Sequence, residues 1–209
     1  MNKPGLPENI KIRYDELKSS IRKRLIDFSR VPQDKYFYEL CFCLCTPQSK
    51  ATNALQVQNK LEKMDFFNQR FDPTPLLRDP DHYIRFHNQK AKRLLKAIET
   101  FPAVMNILNS DIDNKEKRFA ITQLVNGFGM KESSHFLRNT GCRNLAILDR
   151  HILKHLVLCG IYDKIPNVAS YKNYLKAEEK FMNFADEIGI PVDELDILFW
   201  SYETGEILK

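Results

Sequence analysis

Glycine is scarce in this chain, with 7 among 209 residues, and there is a single tryptophan. So little glycine leaves few positions for tight hairpins and bulges, and strand-like alternation of polar and apolar residues is nearly absent. Both point away from an all-β protein. Cysteine is few and odd in number: Cys41, Cys43, Cys45, Cys142 and Cys159. An odd count excludes a simple disulfide framework, and no pair has the C-x-x-C spacing of a zinc or redox site. Long apolar runs are missing, since none approaches the ~18 residues that suggest a membrane helix. The first residues, Met1-Asn2-Lys3-Pro4-Gly5, lack the apolar core of a signal peptide. A soluble, cytoplasmic protein is therefore expected. What the chain does have is a globular balance, 43 % hydrophobic and 28 % charged, with a net charge of +5 from 32 Lys+Arg against 27 Asp+Glu. That mild excess permits a polyanionic partner without requiring one.

Apolar spacing predicts a chain of helices. The first covers Ile12–Phe28 and is broken by Val31-Pro32. A second, apolar helix follows from Asp34 as N-cap to Cys45, and a third from Ser49 as cap through Leu61. Phe71–Asp81, with three prolines, reads as loop or very short helix. Asn88–Thr100 is a basic helix, with Ala91, Leu94, Leu95 and Ile98 inward and Lys90, Lys92, Arg93 and Lys96 on its other sides. Asn114–Val125 and Lys131–Asn139 flank a glycine loop, and Gly141 is a C′ glycine. Asp149 caps a helix through Leu158 that Gly160 closes, and Ser170–Ile188 and Pro191–Ser201 complete the count. Cys41, Cys43 and Cys45 read as small buried apolar groups. His151 and His155, spaced i, i+4, have no third ligand nearby and read as packing or surface rather than as a metal pair.

The segment carrying most chemistry is Leu124-Val125-Asn126-Gly127-Phe128-Gly129-Met130-Lys131. Glycines at i and i+2 allow positive φ and close approach of backbone to a ligand, and the helix N-terminus that follows offers unpaired N–H groups to a phosphate. This is the pattern of a helix-hairpin-helix clamp on a DNA backbone. The plainer alternative is an ordinary helix–helix turn. Lys131 lies two residues after the second glycine, and Asp149 stands 18 residues further on, at a helix start. A lysine amine is a competent nucleophile once desolvated or placed near other cations, and a carboxylate can stabilise positive charge developing on a sugar. Taken alone, Lys131 could be a solvated phosphate contact and Asp149 a plain N-cap worth ~1 kcal/mol.

With the loop, the lysine and the aspartate in this order, the chain resembles the helix-hairpin-helix DNA glycosylase superfamily. In that superfamily a lysine at this place marks bifunctional members, which excise a base and cut the strand. Asn126, where many members have Pro, and Arg150, where Val is common, depart from the pattern without removing a catalytic group. Only 60 residues follow Asp149, with one cysteine, so the four-cysteine iron–sulfur loop of endonuclease III is missing. There is also no room for an extra β-rich domain. Cys45-Thr46-Pro47-Gln48-Ser49-Lys50-Ala51, Phe86-His87-Asn88-Gln89-Lys90-Ala91-Lys92-Arg93 and the final Lys209 are similar to the compact archaeal and thermophile-type (second type) 8-oxoguanine DNA glycosylase/AP lyases.

The resemblance implies an all-α fold with two helical subdomains flanking a DNA-binding cleft. Residues 34–143 would form a helical barrel ending in the hairpin at about 115–140, and 1–33 with 144–209 the second subdomain. It implies Lys131 and Asp149 as catalytic residues, with Lys209, Trp200 and Phe86 at the oxidised base. Gln48 would fill the gap left by the extruded nucleotide, and Arg85, Asn88, Lys90, Gly127 and Gly129 would contact DNA. The partner would be duplex DNA carrying 8-oxoguanine, bound by a monomer that needs neither metal nor cofactor. A bifunctional glycosylase for another oxidised base, or a non-catalytic hairpin module that only clamps DNA, remain as alternatives.

Overall fold

A computed structural model describes residues 4–209; Met1, Asn2 and Lys3, read above for a signal segment, lie outside the described residues. These form eleven α-helices and two short 3-10 turns, with no β-strand among them. In chain order the helices are α1 (Glu8–Ser29), α2 (Tyr36–Cys45), α3 (Ala51–Lys63), α4 (Phe66–Gln69), α5 (Thr74–Arg78), α6 (His87–Leu108), α7 (Asn114–Leu124), α8 (Met130–Asn139), α9 (Arg150–Leu158), α10 (Tyr171–Ile188) and α11 (Val192–Thr204). None is long and apolar enough to cross a membrane. Two compact units divide the chain, one of Val31–Thr140 and one of the residues up to Arg30 together with Gly141–Lys209.

In the unit Val31–Thr140, α2 is buried along almost its whole length and forms the central element. Cys41, Cys43 and Cys45 are fully buried on it as small apolar groups. Glu39, also buried, accepts from Gln58 Nε2 on α3 at 2.9 Å and from Asn139 Nδ2 on α8 at 3.1 Å. A buried carboxylate is costly unless its oxygens are hydrogen-bonded, and these bonds tie three helices together. Phe37 gathers Phe66, Phe67 and Phe101 around it with centroids 4.8–6.2 Å apart. In the other unit α1 packs on α11, where Glu194 accepts from Tyr14 Oη at 2.6 Å and pairs with Arg22 Nε at 3.1 Å. The Glu194 carboxylate and burial both raise the Tyr14 pKa, burial first.

Several helix boundaries differ from those expected. α1 begins four residues before Ile12, because Pro7 supplies the extended residue at which a helix starts. Asp34 is not the cap of α2: it lies in a 3-10 turn and its carboxylate sits 3.6 Å from Lys35 Nζ. Ser49 is not the cap of α3, which starts from Lys50 without a side-chain cap; the Ser49 hydroxyl is occupied elsewhere. α4 was unmarked by any period in so short a segment. α6 runs eight residues beyond Thr100, through Pro102. Buried Phe101 and Val104 continue its inner face, and that packing outweighs the one backbone bond a proline removes.

Candidate active site

The glycine loop is built as a helix-to-helix turn. α7 is fastened at its start by a capping box, with Asp113 accepting from Lys115 N and Glu116 N, and it ends at Val125. Phe128 anchors the loop: its N–H reaches Val125 O at 3.0 Å, and its buried ring faces Phe136 at 6.2 Å. Only one of the two glycines uses positive φ. Gly127 has φ +96°, and a Cβ there would lie 2.6–2.8 Å from the Cδ, Nε and Cζ of Arg93. Gly129 is extended, with φ −106° and ψ −169°, and serves as N-cap of α8. Gly127→Ala should therefore destabilise by about 1–3 kcal/mol, combining strained φ with displacement of Arg93. Gly129→Ala should cost less, about 0.5–1 kcal/mol, since alanine is a poorer N-cap than glycine but the backbone is extended and the added Cβ meets only the end of the Glu132 side chain at 3.3 Å. Urea midpoints of the two variants check this, and equal losses would contradict it.

Lys131 stands in the first turn of α8, with its side chain 25 % exposed and Nζ 3.5 Å from Glu132 Oε1. Glu132 also accepts the Gly129 N–H at 3.2 Å, so it satisfies one of the free donors of the helix start. Sequence reading passed over Glu132, although an acidic residue three positions after an N-cap is a recognisable signal. The lysine thus leaves the loop on a helix whose first turn is fixed by a neighbouring carboxylate.

Two corners of the same unit carry other expected site residues. Gln48 is exposed in the turn after α2 with φ +57°, and Phe86 is the N-cap of α6 with φ +60°, the residue being 48 % exposed. Arg85 lays its guanidinium over the Phe86 ring at 5.1 Å, and Arg85 and Asn88 are both exposed. Lys90 departs from expectation. It is not on the solvated basic face but 2 % exposed, and its Nζ donates to Cys45 O and Pro47 O, each at 2.7 Å. Helical spacing placed it beside Lys92 and Arg93, but the adjoining turn covers it. Burial lowers its pKa to about 8, with the charges of Arg93 and Lys131 acting in the same sense.

In the other unit, Asp149 caps α9 as the sequence predicted, accepting from His151 N at 2.8 Å and Ile152 N at 2.9 Å. The apolar segment Leu145–Leu148 before it is buried but irregular. Its backbone groups are served by α10 side chains: Glu178 accepts from Ala146 N at 2.9 Å, and Tyr174 Oη accepts from Leu148 N at 3.1 Å and donates to Ala146 O at 2.8 Å. Buried backbone without a ladder partner needs such bonds, and here they set the position from which Asp149 begins its helix. Trp200, near the end of α11, and Lys209 are partly exposed. His155 is buried and stacks on Phe199 at 4.5 Å with planes 4° apart, and its Nε2 lies 3.2 Å from Glu203 Oε1. Its burial lowers its pKa more than the Glu203 charge raises it. Glu203 also takes Lys154 Nζ at 2.8 Å, so the histidine pair is packing, with α9 and α11 joined through that carboxylate. Among the described residues no three His, Cys, Asp or Glu side chains gather as metal ligands.

Comparison with known proteins places the chain in a family. Residues 21–190 match a family described as 8-oxoguanine DNA glycosylase. A Fusobacterium nucleatum 8-oxoguanine DNA glycosylase/AP lyase is 38 % identical over 207 residues, covering 94 % of each chain. A Methanocaldococcus jannaschii protein of the same name is 31 % identical, covering 94 % of this chain and 98 % of the relative. Among solved structures, the Methanocaldococcus jannaschii 8-oxoguanine glycosylase/lyase in complex with a 15mer DNA containing 8-oxoguanine superposes with a TM-score of 0.83 at 30 % identity. It covers 97 % of this chain and 100 % of that one. The Thermotoga maritima 8-oxoguanine DNA glycosylase has a TM-score of 0.84 at 27 % identity, covering 97 % of each.

Proposed function

This chain belongs to the 8-oxoguanine DNA glycosylase family, and we propose that it works on DNA through Lys131 and Asp149. It is a bifunctional DNA N-glycosylase and abasic-site lyase that removes 8-oxoguanine from duplex DNA and then cuts the strand. The target nucleotide is turned out of the helix, at an unstacking cost of a few kcal/mol. The neutral Lys131 amine attacks C1′ while the bond from C1′ to the base breaks, and the departing base keeps the electron pair and gains a proton. The attached nitrogen gives up one of its two protons and then drives its lone pair toward C1′ as the ring oxygen O4′ departs and takes a proton, leaving an open sugar joined through a protonated Schiff base that keeps one N–H. Loss of a proton from C2′ then expels the 3′ phosphate by β-elimination, and water releases the lysine. The Asp149 carboxylate stabilises the cationic sugar in the first step and assists proton movement.

The observation that carries this reading is Lys131 in the first turn of α8, partly exposed, directly after the Gly127–Gly129 loop. That loop and helix start suit the phosphates beside the extruded nucleotide. Trp200, Phe86 and Lys209 are assigned to the base, Gln48 to the gap it leaves, and Arg85 and Asn88 to the phosphates. Lys90, being buried, is not assigned a phosphate. The protein acts as a cytoplasmic monomer on chromosomal DNA and without a cofactor. Borohydride reduction during reaction with an 8-oxoguanine duplex tests the chemistry, since a covalent protein–DNA adduct should accumulate. A wild-type protein that forms none would sink the lyase assignment.

Asp149 is separable from its capping role. Asparagine caps a helix about as well as aspartate, whereas alanine loses ~1 kcal/mol there. Asp149→Asn should keep the melting temperature and Asp149→Ala should lower it slightly. Both should lower the single-turnover excision rate on the order of 100-fold or more, because the charge is lost in each. Activity in the asparagine variant close to wild type would reduce Asp149 to a cap.

A further inference from the structure

We infer that Lys90 is a positioning residue for base extrusion: its buried ammonium fastens the Gln48 turn to the Arg85–Phe86 corner, so that both exposed groups meet the duplex as one rigid piece. The inference rests on the reading above that this protein opens a DNA duplex.

The bonds converge on one point. Lys90 Nζ lies 2.7 Å from Cys45 O, 2.7 Å from Pro47 O and 3.3 Å from Ser49 Oγ. The same Ser49 Oγ accepts the Arg85 N–H at 3.0 Å. One ammonium and one hydroxyl therefore tie the segment 45–49 to the start of α6. A second strut runs alongside, from Asn53 Nδ2 on α3 to Tyr83 O at 3.0 Å. An ammonium is the side-chain group that presents three donors in three directions without accepting any. An apolar residue of similar length would leave the Cys45 and Pro47 carbonyls without this donor.

Gln48 and Phe86 both hold left-handed backbone, at φ +57° and +60°. Residues with side chains stay in that region only when their surroundings over-determine them, and such strain gathers at functional sites. Here the surroundings include Lys90 and Ser49. A surface lysine would reach a phosphate without any of these bonds. Burial lowers the Lys90 pKa to about 8, so the site is one that disfavours a charge, yet a lysine occupies it. Its position near Arg93 and Lys131 adds positive potential on the side where the hairpin stands.

Lys90→Met and Ser49→Ala test the inference in the full-length protein. Each would be compared with wild type for single-turnover excision from an 8-oxoguanine duplex and for cutting of a preformed abasic duplex. A 2-aminopurine beside the lesion would report unstacking. A misplacement of about 1 Å of groups that act on DNA can cost on the order of 100-fold. Excision by Lys90→Met should fall by about that factor, by Ser49→Ala less, while cutting at the abasic site falls much less and the 2-aminopurine rise is lost. Should the methionine variant unfold, Ser49→Ala decides, because it removes the bridge and leaves the buried lysine in place. Parallel loss of excision and abasic cutting, or unchanged excision with a normal 2-aminopurine rise, would overturn the positioning role. The wild-type arm keeps the two readings apart: without excision or trapped adduct there, the enzymatic reading itself fails and takes this one with it.

Discussion

Lys131→Gln is expected to abolish the borohydride adduct and to lower both base excision and strand cutting at least on the order of 10⁴-fold, the scale seen when a covalent nucleophile is removed. The fold should hardly notice. Lys131 sits in the first turn of α8, where its side chain makes no bond to the helix backbone, and glutamine has nearly the same helix propensity. Glu132 would still accept the Gly129 N–H, so the loop keeps its cap. DNA affinity should fall modestly, and the slope of log affinity against log salt should shrink by about one if the lysine also meets a phosphate. Melting temperature, trapping and single-turnover rates measured on one preparation separate these effects. A variant that is folded, binds DNA and still forms the adduct would move the nucleophile to another residue.

Raising the pH should unfold this protein through its buried thiols. Burial pushes Cys45 and Cys159 up to about 12, and Cys41 well above its ordinary range. A group whose pKa is raised by folding contributes stability that is fully present below its unfolded value, near 9. That contribution is lost as pH climbs toward the folded value. Each such thiol costs about 1.4 kcal/mol per pH unit in that window. Lys90 acts in the opposite sense: its pKa is lowered to about 8, so between 8 and its ordinary value of 10.5 it adds stability at a similar rate. Three thiols outweigh one amine, and above pH 10 the raised tyrosines Tyr14, Tyr38 and Tyr162 join the loss. Between pH 9 and 11 the net fall is several kcal/mol, against a typical total of 5–15 kcal/mol. Urea unfolding at stepped pH should show the midpoint dropping steeply above pH 9. The double variant Cys45→Ala, Cys159→Ala should start lower, because of the small cavities, and fall less steeply. An identical slope in that variant would remove the thiols as the cause.

Sequence and structure agree best where a local rule dominates. Asp149 stood before an apolar helical pattern, and capping is decided within three residues. The Gly127–Gly129 loop stood between two amphipathic segments, and its order with Lys131 and Asp149 was enough to suggest a superfamily. Local rules served less well where two segments distant in sequence share a bond. Ser49 had the right residue type for a cap, but its hydroxyl is taken by Arg85 N and Lys90 Nζ. The continuation of α6 through Pro102 was hidden because the apolar partners of Phe101 and Val104 lie on other helices. Arg93 against Gly127 could not be read from either segment alone, since the two residues stand 34 positions apart on different elements.

Lys90 marks the boundary between the two kinds of information. By itself the sequence determined an all-helical chain, the glycine loop with its lysine and the capping aspartate. All of these rest on residue type and short-range spacing, which are fully written in the order of residues. Only the tertiary structure decided which cations face solvent. A lysine on a basic helix reads as surface until a turn forty-odd residues away is seen to lay its carbonyls over the ammonium. Burial is set by what packs against a residue, and hydrogen bonding by which acceptors arrive there. The same lysine that the family resemblance placed among the DNA contacts is, in the folded chain, the tie beneath the residues that would make them.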